Sequence, residues 1–284
     1  TCKYAKKLMY NPIKLEKENL GSPINNASSN IKPVISGNKE RMVYVSKKKF
    51  YDAIFMCTRE PNGEWSEPHN IIPQLGVDNR IYPTSLSHDG QTLYLYRNED
   101  FGGDIYVSKL IDDQWTEVEK LNRKINTKYW ESHASITRDG KTLFFTSNRD
   151  GGYGGLDIYI SQKNEDDEWG DPENCGPVIN SKYDEHTPFP ANNGTTLYFS
   201  SDGHLTMGGF DIFRSDKQGE KWTKPENLGY PINTTSDDVF FHPIEDRKTA
   251  IYSIFSKKEG FGQEDIYLIH FDSKQSTSWL INNK

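Results

Sequence analysis

The sequence predicts an all-β chain: a five-bladed β-propeller of four-stranded antiparallel blades, closed into a ring by an N-terminal strand and preceded by a short helix. Three observations predict it. A repeat of just over fifty residues runs through the chain. Hairpin turns fall at fixed places in each repeat. The last repeat lacks an outer strand, and the matching sequence stands at the opposite end of the chain.

The repeat is anchored on an aspartate followed by an apolar residue and an aromatic. It reads Asp104-Ile105-Tyr106, Asp157-Ile158-Tyr159, Asp211-Ile212-Phe213 and Asp265-Ile266-Tyr267, with a weaker copy at Asp52-Ala53-Ile54-Phe55, at spacings of 52, 53, 54 and 54 residues. Trp65, Trp115, Trp169 and Trp222 follow the motif by 11 to 13 residues. Ile24-Asn25, Ile125-Asn126, Ile179-Asn180 and Ile232-Asn233 open successive units, with Val77-Asp78 in the equivalent place. Several landmarks on one period of this length mark a propeller or a solenoid.

Within a unit, Asp89-Gly90, Asp139-Gly140 and Asn193-Gly194 each precede a β-rich run, such as Thr142-Leu143-Phe144-Phe145. Such turns are hairpin signals. In the third full unit the four strands are expected near 185–190, 195–200, 210–215 and 222–228. Ring closure of five such sheets protects the strand edges.

The last unit has strands near 238–244, 249–255 and 264–271 but no tryptophan-plus-Asn-Leu-Gly fourth strand. Lys17-Glu18-Asn19-Leu20-Gly21 looks like Lys224-Pro225-Glu226-Asn227-Leu228-Gly229. Residues 12–20 are therefore expected to supply the missing strand, which sets the blade count at five. A competing expectation gives that role to Ser278-Trp279-Leu280. Residues 1–11 read as a helical linker or the end of a preceding helical domain, stopped near Asn11-Pro12. Residues 12–284 read as a single propeller domain.

Composition excludes some functions. The 284 residues carry a net charge of −7, with 26% charged residues and no long run of one sign, which argues against a nucleic-acid binder with its basic stripe. No stretch approaches the roughly 18 apolar residues of a membrane-spanning helix. Cys2, Cys57 and Cys175 are odd in number and widely spaced, so neither a disulfide framework nor a zinc site is indicated, and mostly buried free thiols are expected. Thr1 opens the chain where methionine is usual, which implies a removed signal peptide or a piece of a longer protein.

With this strand order, the connections from strand four to the next strand one and those from strand two to strand three share a face. First strands line the central channel of a propeller. Counting eight residues back from each hairpin turn places Asn30, Ile81, Glu131, Glu185 and Asp238 at its mouth, with His133 and His186 close by. Arg80, Tyr82, Trp130 and Tyr183 complete the candidate binding set. Its functional reading is a mouth for a cation, a basic peptide segment or a sugar, with Tyr82, Trp130 and Tyr183 as stacking surfaces. The plain reading is a set of loop ends satisfying exposed backbone.

No metal or cofactor is indicated. Two histidines and three carboxylates are types that bind transition metals, but their spacing is that of the repeat, and no EF-hand loop appears. The Gly-rich stretch 151–155 lacks the lysine and hydroxyl of a phosphate-binding loop, and its glycines are expected to permit positive φ. The once-per-blade aspartates read as structural acceptors and Trp115, Trp169 and Trp222 as blade-to-blade packing. No Gly-x-Ser-x-Gly elbow is present, so no catalytic residue is assigned.

These units resemble the WD-like propeller repeats of the TolB-like family. The resemblance covers essentially residues 12–271 and is most specific over Asn180 to Ile212 and Pro225 to Asn233. Envelope proteins of this style often carry tetratricopeptide helices before the propeller and an OmpA-like peptidoglycan-binding domain after it. Propellers of type IX secretion and gliding-motility components are close look-alikes, and Cys2 to Pro12 is similar to their helix-to-propeller junction. The resemblance implies a periplasmic, outer-membrane-associated scaffold, not an enzyme, with flanking domains and with an envelope protein, a peptide segment or a cell-wall glycan as partner. The alternative is a carbohydrate-binding or carbohydrate-active propeller, for which Glu131 and Glu185 on adjacent blades are the candidate carboxylate pair. A third possibility is a rigid spacer with no ligand.

Overall fold

The computed structural model describes residues 2–77, 80–99, 102–244, 248–255 and 260–272. It is a five-bladed propeller. Blade 1 comprises Ser29–Ile35, Arg41–Lys47, Asp52–Thr58 and His69–Asn70. Blade 2 comprises Ile81–Leu86, Thr92–Glu99, Gly102–Ile111 and an outer strand in two pieces, Gln114–Trp115 and Glu119–Lys120. Blade 3 comprises Glu131–Ile136, Thr142–Ser147, Asp157–Gln162 and Glu173–Asn174. Blade 4 comprises Glu185–Ala191, Thr196–Ser201, Asp211–Gln218 and the split outer strand Lys221–Trp222 and Glu226–Asn227.

Blade 5 is built from both ends of the chain. His242–Pro243, Thr249–Phe255 and Glu264–Phe271 are joined by Leu15–Asn19, which pairs antiparallel with the third strand from Leu15↔Phe271 to Asn19↔Tyr267. This is the closure expected from residues 12–20. Ser278-Trp279-Leu280 lie outside the described residues. The helix Cys2–Tyr10 ends one residue before Asn11-Pro12. It packs on the propeller: Ala5 is buried, and Leu8 and Ile13 stand against the backbone at Gly229. No described helix is long and apolar enough to cross a membrane.

The core is five apolar clusters, one between each pair of neighbouring blades, because each twisted sheet buries both faces against its neighbours. Between blades 1 and 2, for example, Val43, Ile54 and Met56 meet Leu93, Leu95 and Trp115. Trp169 packs between blades 2 and 3, and Trp222 against the cluster between blades 3 and 4. The recurring isoleucines Ile24, Ile125, Ile179 and Ile232 are each buried in one of these clusters.

The recurring aspartates tie each blade together. In blade 4 the Asp211 carboxylate accepts the Met207 and Gly208 N–H groups and the Asn227 side-chain amide at 2.6 Å. Asn227 Oδ1 in turn accepts the Gly229 N–H and the Asn233 amide, and Asn233 makes a two-way bond with the Ile212 backbone at 2.7 and 2.9 Å. Asp157, Asn174 and Asn180 repeat the relay in blade 3. In blade 5 it runs Asp265, Asn19, Asn25, so it also fastens the two chain ends. Blade 2 substitutes Lys120 for the middle asparagine, and its ammonium pairs with Asp104 at 2.5 Å.

The glycines of the connections between strands two and three serve close approach more than positive φ. Gly151 has φ +88°, but Gly154 does not lie in that region; a β-carbon there would stand 2.1 Å from the Tyr183 carbonyl oxygen. At Gly208 and Gly262 a β-carbon would meet the carbonyls of Ser236 and Ser28 at 2.6 and 2.2 Å. The two sets of connections therefore touch and share one face, as the strand order requires.

Candidate functional site at the channel mouth

Four of the five inner strands carry a bulge near their start. Lys32, His133 and Thr187 sit in three of these bulges with φ between 48° and 52°, and Phe240, just ahead of the blade 5 inner strand, has φ 60°, where non-glycine residues are uncommon. Blade 2 has Pro83 at this position. The bulge determines which residues face the channel.

Three of the nine sequence candidates turn inward. Glu131 and Glu185 are 0% exposed and Asp238 is 5% exposed. Glu131 accepts the Thr127 N–H and hydroxyl at 2.8 Å, the Ser147 hydroxyl at 2.7 Å and the Arg149 guanidinium at 3.3 Å. Glu185 accepts the Ser181 N–H at 2.8 Å and the Ser201 hydroxyl at 2.7 Å. Asp238 accepts the Thr234 N–H and, at 3.0 Å, the Tyr252 hydroxyl. Each carboxylate thus clamps the connection leading into its own blade. Burial raises the Glu185 pKa and pushes that of Asp238 up to about 6, against hydrogen bonds that lower it. A sequence signal for this role exists: Thr127, Ser181 and Thr234 each stand four residues before the acid they cap.

The channel mouth is lined by a different set. Tyr82, His133 and His186 are there as expected, together with Lys32, Tyr96, Phe210 and Phe240, which the counting missed. The Lys32 ammonium donates to the Tyr96 hydroxyl at 3.2 Å and sits over the rings of Tyr82, Phe240 and Tyr96 at 4.1, 4.6 and 5.3 Å. The His133 ring packs against Tyr96, Phe240 and His186 at centroid distances of 4.7, 5.3 and 5.5 Å, and His186 stands edge-on to Phe210 at 5.0 Å. Two residues beyond the counted position in each repeat reads Lys32, Pro83, His133, Thr187, Phe240.

Burial, with the nearby Lys47, lowers the Lys32 pKa to about 8, although Asp52 favours the charge. Burial, His186 and Lys32 together hold His133 well below the ordinary histidine value. His186 is lowered by burial against Asp184 and Asp202. At neutral pH the mouth therefore presents a lysine cation beside two neutral imidazoles. Further along the inner strands the Phe189 and His242 rings pack with centroids 4.1 Å apart.

The remaining candidates form the rim. Arg80 is exposed and borders an open polar hollow of about 480 Å³ with Arg97, Glu99, Asp104, Lys128 and Tyr129. Tyr183 is half exposed with Lys182 over its ring. Trp130 is half-buried, its indole lying against Gly103, so it offers less stacking surface than expected. Among the described residues no group of three or more His, Cys, Asp or Glu is gathered as a metal site.

The two faces differ in kind. Of the eleven exposed large apolar side chains described, eight lie on connections of the mouth face or at the strand ends beside them: Phe50, Tyr51, Tyr153, Val178, Tyr183, Leu205, Phe255 and Phe261. Among described residues the mouth-face connections carry eight Lys or Arg and five Asp or Glu, whereas the opposite connections carry seven and fifteen. The molecule's negative charge is concentrated away from the mouth.

No protein-family model matches the chain, and no curated protein resembles it closely in sequence. Solved structures do resemble it in fold. TolB from Acinetobacter baumannii is 14% identical with a TM-score of 0.56 over 91% of this chain, which spans 64% of that protein. A putative TolB from Agrobacterium tumefaciens is 15% identical with a TM-score of 0.53, covering 91% of this chain and 98% of that one. The catalytic domain of the Coprinopsis cinerea GH62 α-L-arabinofuranosidase is 11% identical with a TM-score of 0.55, covering 92% and 98%. At these identities the likeness is one of fold, and one propeller scaffold carries many activities.

Proposed function

We propose that the chain is a non-catalytic interaction propeller of the cell envelope that receives a protein partner on its mouth face. The setting that fits the sequence resemblance is a periplasmic, outer-membrane-associated assembly of the type IX secretion kind. The observation that carries the reading is that eight of the eleven exposed large apolar side chains described lie on one face, an uneven distribution of the kind association surfaces show. The relative excess of basic residues there selects against basic partners and favours acidic ones.

The alternative is a carbohydrate-directed propeller, favoured by the likeness to an arabinofuranosidase domain and by the exposed rim tyrosines Tyr153 and Tyr183. Hydrolysis of a glycosidic bond uses two carboxyl groups flanking the bond. The mouth acids Glu131, Glu185 and Asp238 are buried and engaged by the protein's own donors. We therefore place glycan binding, without hydrolysis, as the second reading.

The test is photo-cross-linking in cells, with benzoylphenylalanine at Phe50 or Leu205 on the mouth face and at Gln114 or Glu168 on the other. Cross-links to one defined protein from the first pair alone are expected. Equal cross-linking from both faces, or products from Gln114 and Glu168 only, would refute the assignment.

A further inference from the structure

Buried ammonium groups are ordinarily paired, because an unpaired charge removed from water is costly. Lys32, part-buried at the channel mouth, departs from this rule. Among the described residues its Nζ has one hydrogen-bond partner, the neutral Tyr96 hydroxyl, and no carboxylate within ion-pair distance. Asp52, the acid whose charge favours it, is instead the acceptor of the Tyr82 hydroxyl at 3.3 Å. Aromatic faces at 4.1 to 5.3 Å steady the charge but accept no hydrogen bond of ordinary strength. Two of the three ammonium donors are left over, and they sit at the axis of the propeller beside His133 and His186.

We propose that this cluster is a carboxylate receptor: Lys32, flanked by His133 and His186, takes an acidic side chain from the protein segment that docks on the mouth face. The inference rests on the reading of that face as a protein-docking surface and adds what the partner must present. An acid inserted at the axis completes the hydrogen bonding of Lys32. The exposed Phe50, Leu205 and Phe261 on the connections of the same face offer apolar surface to the residues flanking that acid, which favours a protein segment over an acidic sugar.

Proton linkage follows from the geometry. The groups facing Lys32 are Lys47 and Asp52 of its own blade, Tyr82 and Tyr96 of blade 2 and His133 of blade 3, with His186 of blade 4 behind. With the free lysine titrating at about 8, the charge that binding requires is present below that pH and lost above it. Affinity is therefore expected to fall about tenfold between pH 7 and pH 9, a range in which an aspartate does not titrate.

The experiment is calorimetric titration of the protein with acetyl-Phe-Asp-Phe-amide, acetyl-Phe-Asn-Phe-amide and trigalacturonate. The expected result is saturable binding of the Asp peptide, at least tenfold weaker binding of the Asn peptide, the stated fall at pH 9, and at least tenfold loss in Lys32→Met. The wild-type pH profile needs no variant, and His186→Asn supplies a second one. Equal affinity for the Asp and Asn peptides, or no pH dependence, overturns the proposal. Tighter binding of trigalacturonate with the same pH profile makes the receptor one for acidic glycans and overturns the protein commitment. Absence of any peptide binding, with cross-links still forming from Phe50 and Leu205, overturns the receptor alone and leaves the docking face standing.

Discussion

Asn25 is the point at which the ring is most economically tested. Its side chain is 1% exposed and makes three bonds: Oδ1 accepts the Ile266 N–H at 2.8 Å, and Nδ2 donates to the Ile266 carbonyl at 2.8 Å and to Asn19 Oδ1 at 2.7 Å. Asn25→Ala leaves the Ile266 N–H without its partner, while the Ile266 carbonyl keeps the Leu20 N–H at 3.1 Å and Asn19 Oδ1 keeps the Gly21 N–H. A buried group left unsatisfied costs about 1–3 kcal/mol, so the variant is expected to lose about 1–3 kcal/mol. For a domain of this size that is a fall of roughly 2–12 °C in melting temperature. Asn180→Ala is the control, because Asn180 makes the same bonds to Ile158 and Asn174 within blade 3. Both variants are expected to lose similar stability in urea, but only Asn25→Ala unfastens the terminal strand. Limited proteolysis should therefore cleave within residues 11–28 of that variant well below its melting point. Loss under 0.5 kcal/mol, or equal protection of this segment in both variants, would refute the closure argument.

Other outcomes follow from the same contacts. Glu131→Ala removes the acceptor of the Thr127 N–H, the Thr127 and Ser147 hydroxyls and one Arg149 bond and should cost about 2–4 kcal/mol by chemical denaturation, whereas a surface ligand residue would cost little. Gly154→Ala places a β-carbon against the Tyr183 carbonyl and should lower the melting temperature more than Gly151→Ala, whose positive φ alone costs about 1 kcal/mol. His242 is buried with its pKa pushed down to about 3 from 6.5. Its neutral form contributes fully above pH 6.5 and progressively less as pH falls, so between pH 7 and pH 5 His242→Phe should remove about 2 kcal/mol of the wild-type pH dependence. Asp238, with its raised pKa, titrates in the opposite sense in both proteins. Burial raises the Cys57 and Cys175 thiols above their ordinary pKa, so peptide mapping should find neither alkylated by iodoacetamide at pH 8 until the protein is unfolded.

The blades were legible because the repeat writes the same hydrogen-bond relay several times: Asp211, Asn227 and Asn233 are visible as a period before they are visible as contacts. The seam was legible because Asn19-Leu20-Gly21 copies Asn227-Leu228-Gly229. The channel lining was not, because a bulge shifts the alternation within four of the five inner strands, and a count from the hairpin turn lands on Glu131 and Glu185 instead of on His133. Lys32 was hidden for a further reason. Its meaning comes from Tyr96 and Phe240, which stand 64 and 208 positions away and belong to other blades.

The geometry of the seam also sets how the molecule answers force. Leu15 pairs with Phe271, and the Asp272 N–H reaches the Lys14 carbonyl at 3.3 Å, so both tails leave the ladder from the same end. Tension applied through them loads the Leu15↔Phe271 pair first and the Asn19↔Tyr267 pair last. The closure then opens like a zip, one rung after another, and not by shearing five rungs at once.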